Sequence, residues 1–295
     1  MQAVARQSRF SAALVALAAL CWGVSGGIGG VLIEDGVGTL VVAFYRGAIG
    51  LLCFSVWLSV CHGGSGIGSG RLWLWSIVAG LGVAGNFAFY FFSMSEGSIA
   101  IAATLMYCAP VYVYLVSFAL RLERSTVSKW FAIAGVMTGI VLLTGVYDVA
   151  VEGVTPAGIL SGLLAGLCYA VFIFAFKNAA PHGEPQAILF VAFLALSVVL
   201  LGLAGVDSII RVRDAANGWM YAALGLLGAG GSFYLYVVGI RGTAPTVASV
   251  LAMIEPITAS LFGVAFMGQH LGIIQVAGVV LILAAVASLS SGGRD

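Results

Sequence analysis

"SVLAMIEPITASLFG", residues 249–263, is apolar enough for the interior of a bilayer, yet Glu255 and Pro256 stand side by side at its centre. A carboxylate at membrane depth is costly unless it faces water, a cation or a polar cavity. A proline removes one intrahelical hydrogen bond, here the one to the carbonyl of Ala252, and bends the chain. A helix with no task but crossing lipid needs neither. The pair therefore predicts a span that is bent and wetted at its middle, as in membrane proteins with an internal site.

The rest of the chain supplies the membrane around it. Of 295 residues, 62% are hydrophobic and only 8% charged, whereas soluble domains carry roughly a quarter charged residues. No water-soluble core can bury that much apolar surface, so lipid is the solvent and the fold is all-α and polytopic. Apolar runs of about 20 residues predict ten transmembrane helices, at 10–32, 38–61, 72–94, 98–120, 128–147, 156–177, 186–205, 218–240, 244–267 and 271–290. "HGGSGIGSGR" (62–71) reads as a flexible connector. The run after Arg6 and Arg9 exceeds a signal-peptide core, so it reads as a retained first span.

Lys and Arg orient the spans. With the N-terminus in the cytoplasm, the inner side holds Arg6, Arg9, Arg71, Arg121, Arg124, Lys129, Lys177, Arg241 and Arg294, against Arg211 and Arg213 outside. That asymmetry follows the positive-inside rule and predicts that both termini lie in the cytoplasm, with the chain in a plasma membrane. Only Arg46 lies in the interior of a span, whereas Lys129 and Lys177 stand at span ends.

The stretch around Glu255 also has an echo. "RGTAPTVASVLAMIEP" (241–256) repeats "EGSIAIAATLMYCAP" (96–110), "AGLCYAV" (165–171) repeats "AALCWGV" (18–24), and "VAGV" (276–279) repeats "IAGV" (133–136). The offsets are about 143 to 147 residues, in one order. The chain thus divides into five-helix repeats, 1–150 and 151–295. Five is odd, so the second repeat enters the membrane inverted, a recurring plan of secondary transporters.

These motifs carry a resemblance. "ALCWGVSGG" (19–27), "FYRG" (44–47), the stretch 85–126 and "EPITASLFGVAFMGQHL" (255–271) resemble the drug/metabolite transporter superfamily of EamA type, over nearly the whole chain. Gly268-Gln269 departs from the Gly-Glu often found after the ninth span of that family. The aromatic-lined spans look most like the bacterial aromatic-amino-acid exporter branch (YddG-type). The resemblance implies a carrier of small amphipathic metabolites, amino acids and aromatic ones first, working outward. A cationic-drug exporter is the alternative, with Glu255 as counter-charge.

Depth selects the site candidates. At 1.5 Å per residue, Trp22, Tyr107, Tyr169 and Glu255 fall roughly 14–20 Å deep, near the midplane of a ~30 Å core. Aromatic residues normally gather at the interfaces, so polar-tipped rings at the midplane point to a cavity. Asn86 and Tyr90 share one face of span 3. Tyr90 and Tyr236 lie nearer the membrane faces, where they also fit an interfacial belt. Arg46 either snorkels outward or reaches toward Glu255, as a reader of substrate charge or as an internal strut. The expected binding set is Trp22, Arg46, Asn86, Tyr90, Tyr107, Tyr169, Tyr236 and Glu255, with hinges at Pro110 and its repeat partner Pro256. Gly23, Gly26 and Gly30 read as packing positions, as does the Gly135/Gly139 pair.

Other chemistry finds little support. Lys129 and Lys177 sit in no phosphate-binding loop, and no His/Cys/acid spacing suits a metal. No catalytic residue, cofactor or metal is expected. Net charge +1 offers no footprint for nucleic acid. Cys21, Cys53, Cys61, Cys108 and Cys168 read as small apolar residues. "GVSGG" (23–27) matches the serine motif of intramembrane proteases, but His62, His182 and His270 lie at loop edges. The expected partners are a small-molecule substrate and the lipid bilayer, and the chain is a monomer or a homodimer through spans 5 and 10.

Overall fold

The protein is described from a computed structural model over residues 2–61, 63–149, 154–211 and 218–291. The helices are α1 (Gln2–Glu34), α2 (Thr39–Val60), α3 (Gly70–Ser95), α4 in two pieces (Ile99–Met106 and Ala109–Ala119), α5 (Val127–Thr144), α6 (Pro156–Ala179), α7 (Pro185–Ala204), α8 in two pieces (Gly218–Gly225 and Ser232–Arg241), α9 in two pieces (Pro245–Ala252 and Ile254–Phe266) and α10 (Ile273–Ser291). Among the described residues, nine helical stretches are long and apolar enough to cross a membrane, and Ile273–Leu289 adds a shorter apolar helix. Arg213, Arg294, His62 and the 150/151 repeat boundary lie outside the described residues.

Local chemistry sets the helix starts. Ser69, Ser98, Thr126 and Thr155 each accept the backbone N–H three residues on, capping α3, α4, α5 and α6. Pro156, Pro185 and Pro245 open α6, α7 and α9, where a missing N–H costs nothing.

The repeats are inverted and interleaved. Near the start of α1, Ser11 packs beneath Gly242 of the α8–α9 turn. The first residue before α6, Thr155, instead bonds Glu96 at the α3–α4 turn, on the opposite face. The pairings are related by the same two-fold operation: α3 packs on α6 as α8 packs on α1, and α4 packs on α6 as α9 packs on α1. The self-paired helices α2 with α7 and α5 with α10 lie across the pseudo-axis.

Glycines carry these symmetric contacts. A Cβ on Gly23 of α1 would stand 2.5 Å from the carbonyl of Glu255, and one on Gly166 of α6 would stand 2.9 Å from the carbonyls of Leu105 and Met106. Each repeat's first helix thus presses on the broken helix of the other repeat. The Gly139 face of α5 meets Gly278 and Ile282 of α10, so this small-residue face is used within the chain. Gly26 and Gly30 differ from the expectation: nothing lies within 4 Å of a Cβ at Gly26, and only the Met267 methyl, at 3.9 Å, approaches one at Gly30. They border open space.

Two further differences concern continuity. α8 is not a regular helix, because Leu226–Gly231 forms a π-helical turn. Over its described residues, 63–71, the connector is held down: the Ser65 carbonyl accepts the N–H of Glu184 at 2.9 Å, and Trp73 Nε1 donates to the carbonyl of Ile67 at 2.7 Å.

Candidate functional site

The breaks in α4 and α9 fall at matching places. The first piece of α4 ends at Met106 and is capped by Tyr107, just before the proline-bearing second piece that starts at Ala109, and the first piece of α9 ends at Ala252 and is capped by Met253. Cys108 and Met253 each donate three residues back instead of four, to Leu105 and Val250, so the chain tightens just before Pro110 and Pro256. The prolines leave the carbonyls of Met106 and Ala252 without their usual donors. The second piece of α9 then begins at Ile254 and puts Glu255 in its first turn.

Between the breaks lies a cavity of about 480 Å3. Trp22, Arg46, Asn86, Tyr90, Tyr107 and Glu255 all line it, so the fold brings together residues from five helices. It is also lined by Glu34, Met94, Ile99, Thr144, Met267 and Gln269, which sit at the ends of α1, α3, α5 and α9 and the start of α4. The cavity therefore opens toward the face away from the N-terminus. A depression of similar volume near Asp35 and Arg211 is a shallow surface feature that does not reach the midplane groups.

Two charges define the floor. Glu255 Oε2 accepts the Tyr169 hydroxyl at 3.0 Å, its one described protein partner. Arg46 Nε donates to the carbonyl of Gly228 at 2.8 Å, and its guanidinium lies 5.3 Å from the Phe87 ring centroid. Both groups line the cavity, but the salt bridges among the described residues are Lys129–Glu123 and Arg241–Glu184, so Arg46 and Glu255 do not close on each other. The strut reading requires a direct contact that this conformation lacks. Arg46 also does not snorkel outward.

The other expected residues divide into wall and support. Asn86 donates to the carbonyl of Ala165 at 3.0 Å, tying α3 to α6 while lining the cavity. Tyr90 and Tyr107 line the wall without a described hydroxyl partner. Tyr169, 3% exposed, lies behind Glu255 with its ring 4.5 Å from Phe172. Tyr236 corrects the interfacial expectation. It is 0% exposed and sits 5.1 Å from the Trp22 ring, because α8 carries it inward to an aromatic cluster with Phe172, Phe176 and Phe233. That cluster fills the space between the cavity floor and the closed face.

Several lining residues were not expected. Phe87, Phe91 and Met94 extend the Asn86–Tyr90 face of α3, and their helical spacing was a readable signal. Leu143 and Thr144 come from α5, a helix that supplied none of the expected site residues. Gln269 sits at the mouth. Ser25, the serine of the protease-like motif, donates to the carbonyl of Trp22 at 2.9 Å, an ordinary bond within its own helix. Among the described residues no group of three or more His, Cys, Asp or Glu side chains comes together.

The face nearer the N-terminus is closed by polar contacts. Lys177 Nζ donates to the carbonyls of Ile240, Arg241 and Thr243 at 2.8, 3.0 and 2.9 Å. Glu123 accepts the N–H of Thr246 at 3.0 Å and the Lys129 ammonium at 2.8 Å. Arg241 donates to the carbonyl of Gly183 at 2.7 Å. The symmetry-related place on the other face, between the end of α1 and the α3–α4 turn, is the open mouth.

Comparison with known proteins agrees with this architecture. The EamA-like transporter family matches the chain twice, over residues 9–145 and 156–291. An uncharacterized transporter of Archaeoglobus fulgidus is 30% identical over 200 residues, covering 68% of this chain and 70% of its own length. The uncharacterized transporter YwfM of Bacillus subtilis is 25% identical over 95% of this chain and 93% of its own length. Protein PecM of Dickeya dadantii is 25% identical over 72% of this chain and 73% of its own. A solved crystal structure, 19% identical, covers 100% of this chain and 98% of its own with a TM-score of 0.71. At that identity it speaks for the fold alone.

Proposed function

Since this chain belongs to the EamA-like transporter family, we propose that it is a carrier, not an enzyme, that exports small zwitterionic metabolites, aromatic amino acids first, by alternating access. The supporting observation is the pair of unbridged charges, Arg46 and Glu255, on one aromatic-walled cavity. Glu255 would hold the substrate's ammonium group and Arg46 its carboxylate. Trp22, Tyr90 and Tyr107 would cover the apolar side chain, with Asn86 fixing the wall. Tyr169 would orient Glu255, and Tyr236 would support Trp22 from behind.

The open mouth and the sealed opposite face represent one state of the cycle. Exchanging the two arrangements between the inverted repeats yields the other state, with the breaks at Pro110 and Pro256 as hinges. With the termini in the cytoplasm of a bacterial inner membrane, an orientation the positive-inside asymmetry supports, this state would be outward-facing. Outward transport rests on the family resemblance. A monomer holds the whole cavity, and a homodimer would leave it unchanged.

The test is flux of labelled phenylalanine, tyrosine and tryptophan in proteoliposomes, with and without a pH gradient. Saturable uptake that is accelerated by unlabelled amino acid on the opposite side is expected. Glu255→Gln should lower apparent affinity about tenfold or more, the worth of a charge-assisted hydrogen bond. Unchanged affinity and rate in this variant at every pH would remove Glu255 from the site, and ohmic current would replace the carrier with a channel. The export of cationic drugs is the second reading, favoured by the one described protein partner of Glu255. It predicts flux of carboxylate-free cations that survives Arg46→Gln.

A further inference from the structure

We infer that Gly228, in the π-helical turn of α8, is the position that decides whether this site reads a carboxylate, because its carbonyl is the one described hydrogen-bond acceptor that seats the Arg46 side chain. The inference rests on the zwitterion reading above and deepens it. Gly228 does not touch substrate, so it is a positioning residue.

The geometry is specific. A π turn adds a residue to the helix and rotates its carbonyls out of register, a device common at functional sites. In Leu226–Gly231 it presents the carbonyl of Gly228 to Arg46 Nε, at 2.8 Å. The missing side chain matters as much. A Cβ at position 228 would stand 2.7 Å from Arg46 Nε and 2.5 Å from Ser25 Oγ, closer than real Cβ atoms come to any neighbour. Glycine is thus the residue that permits both the approach and the bond.

The consequence falls on the rest of the guanidinium. Arginine has five N–H donors in a rigid planar fork. Nε is held by Gly228, and the ring of Phe87 lies 5.3 Å from the central carbon. The two terminal amino groups have no described protein acceptor, and Arg46 lines the cavity. A cation so placed lacks the paired anion that a low-dielectric site demands. A planar carboxylate matches the end of such a fork. The Trp22 ring lines the same cavity, and its indole N–H is buried without a described partner. Ser25 links the two, since its hydroxyl bonds the carbonyl of Trp22 and its oxygen lies against Gly228.

The experiment compares phenylalanine with phenylalaninamide, which keeps the ring and the ammonium group and lacks the carboxylate. Each competes against labelled phenylalanine for binding to purified full-length protein. The unaltered protein should prefer phenylalanine by about tenfold or more. Gly228→Ala should bring the ratio near one by weakening phenylalanine while the amide changes less than about threefold. Arg46→Gln should do the same, and the double variant should be no worse than either single one, because both act through one group. Arg46→Lys keeps the charge but cannot hold the carbonyl of Gly228 and present a fork. It carries the same ratio test if Gly228→Ala fails to fold, and an unaltered ratio in it overturns the inference. Equal loss for both ligands in Gly228→Ala means a structural role and also overturns it. If Arg46→Gln abolishes the preference and Gly228→Ala retains it, the inference fails while the zwitterion reading stands. If the unaltered protein shows no preference, the zwitterion reading itself fails and takes the inference with it.

Discussion

At the scale of single residues, the site is a matter of which polar atoms are already satisfied. Tyr169 donates to Glu255 Oε2 and so fixes where the carboxylate points. Its ring is packed on Phe172, so removing only the hydroxyl leaves the packing in place. Tyr169→Phe should therefore preserve folding and weaken binding of ammonium-bearing substrates about tenfold or more, the worth of one hydrogen bond to a charged group. Competition binding checks this; equal affinity in both proteins would make Tyr169 packing alone. Glu255 was legible in the sequence because any acid at midplane depth needs a reason. Tyr236 was not, because its distance along the chain from a helix end says nothing about which way α8 turns it. Gly23 and Gly26 make the same point. Three residues apart on one helix, one presses on the carbonyl of Glu255 and the other borders empty space.

At the scale of helices, the closed face is held by a few carbonyl caps. Lys177 bonds three carbonyls around the α8–α9 turn, an arrangement with no described equivalent at the open mouth. Lys177→Met should free that turn and shift the population toward the oppositely open state, since a loss of about 1.4 kcal/mol already changes such a ratio tenfold. Ser249 in the first piece of α9 is fully buried. In a cysteine-free background, Ser249→Cys should react with a maleimide supplied from the N-terminal face about tenfold faster when Lys177→Met is present. An unchanged rate would show that the caps do not restrain the turn. The α5–α10 contact is tested separately. A Cβ on Gly139 would stand 2.6 Å from Ile282, so Gly139→Leu should destabilise the protein by about 1–3 kcal/mol, seen as a lower melting temperature in detergent. No change in melting would mean the two helices separate freely. The breaks at Tyr107 and Met253 were legible from Pro110 and Pro256, because a missing N–H acts locally. The π turn of α8 was not, since "LLGAGG" (226–231) permits it without requiring it.

At the scale of the molecule, the inverted repeat makes a prediction about sidedness. Cys61 is exposed at the end of α2, on the face that Lys177 closes, and Asp207 lies in the short helix Val206–Arg211 on the other face. With the N-terminus in the cytoplasm, an impermeant maleimide added to intact cells should spare Cys61 and label Asp207→Cys. Labelling of both from outside would refute the alternating topology.

By itself the sequence determined the solvent, the ten-helix count, the odd-numbered duplication and the presence of an acid in a bent span. Each of these depends on composition, periodicity or a local covalent property, and none needs a distant neighbour. Only the tertiary structure decided that Arg46 turns inward yet stays apart from Glu255, that Tyr169 and Tyr236 stand behind the wall, and that one face is sealed while the other is open. Those outcomes depend on close approaches between helices far apart in the chain, where the absence of a single Cβ selects the partner, and no linear pattern records which helix will arrive there.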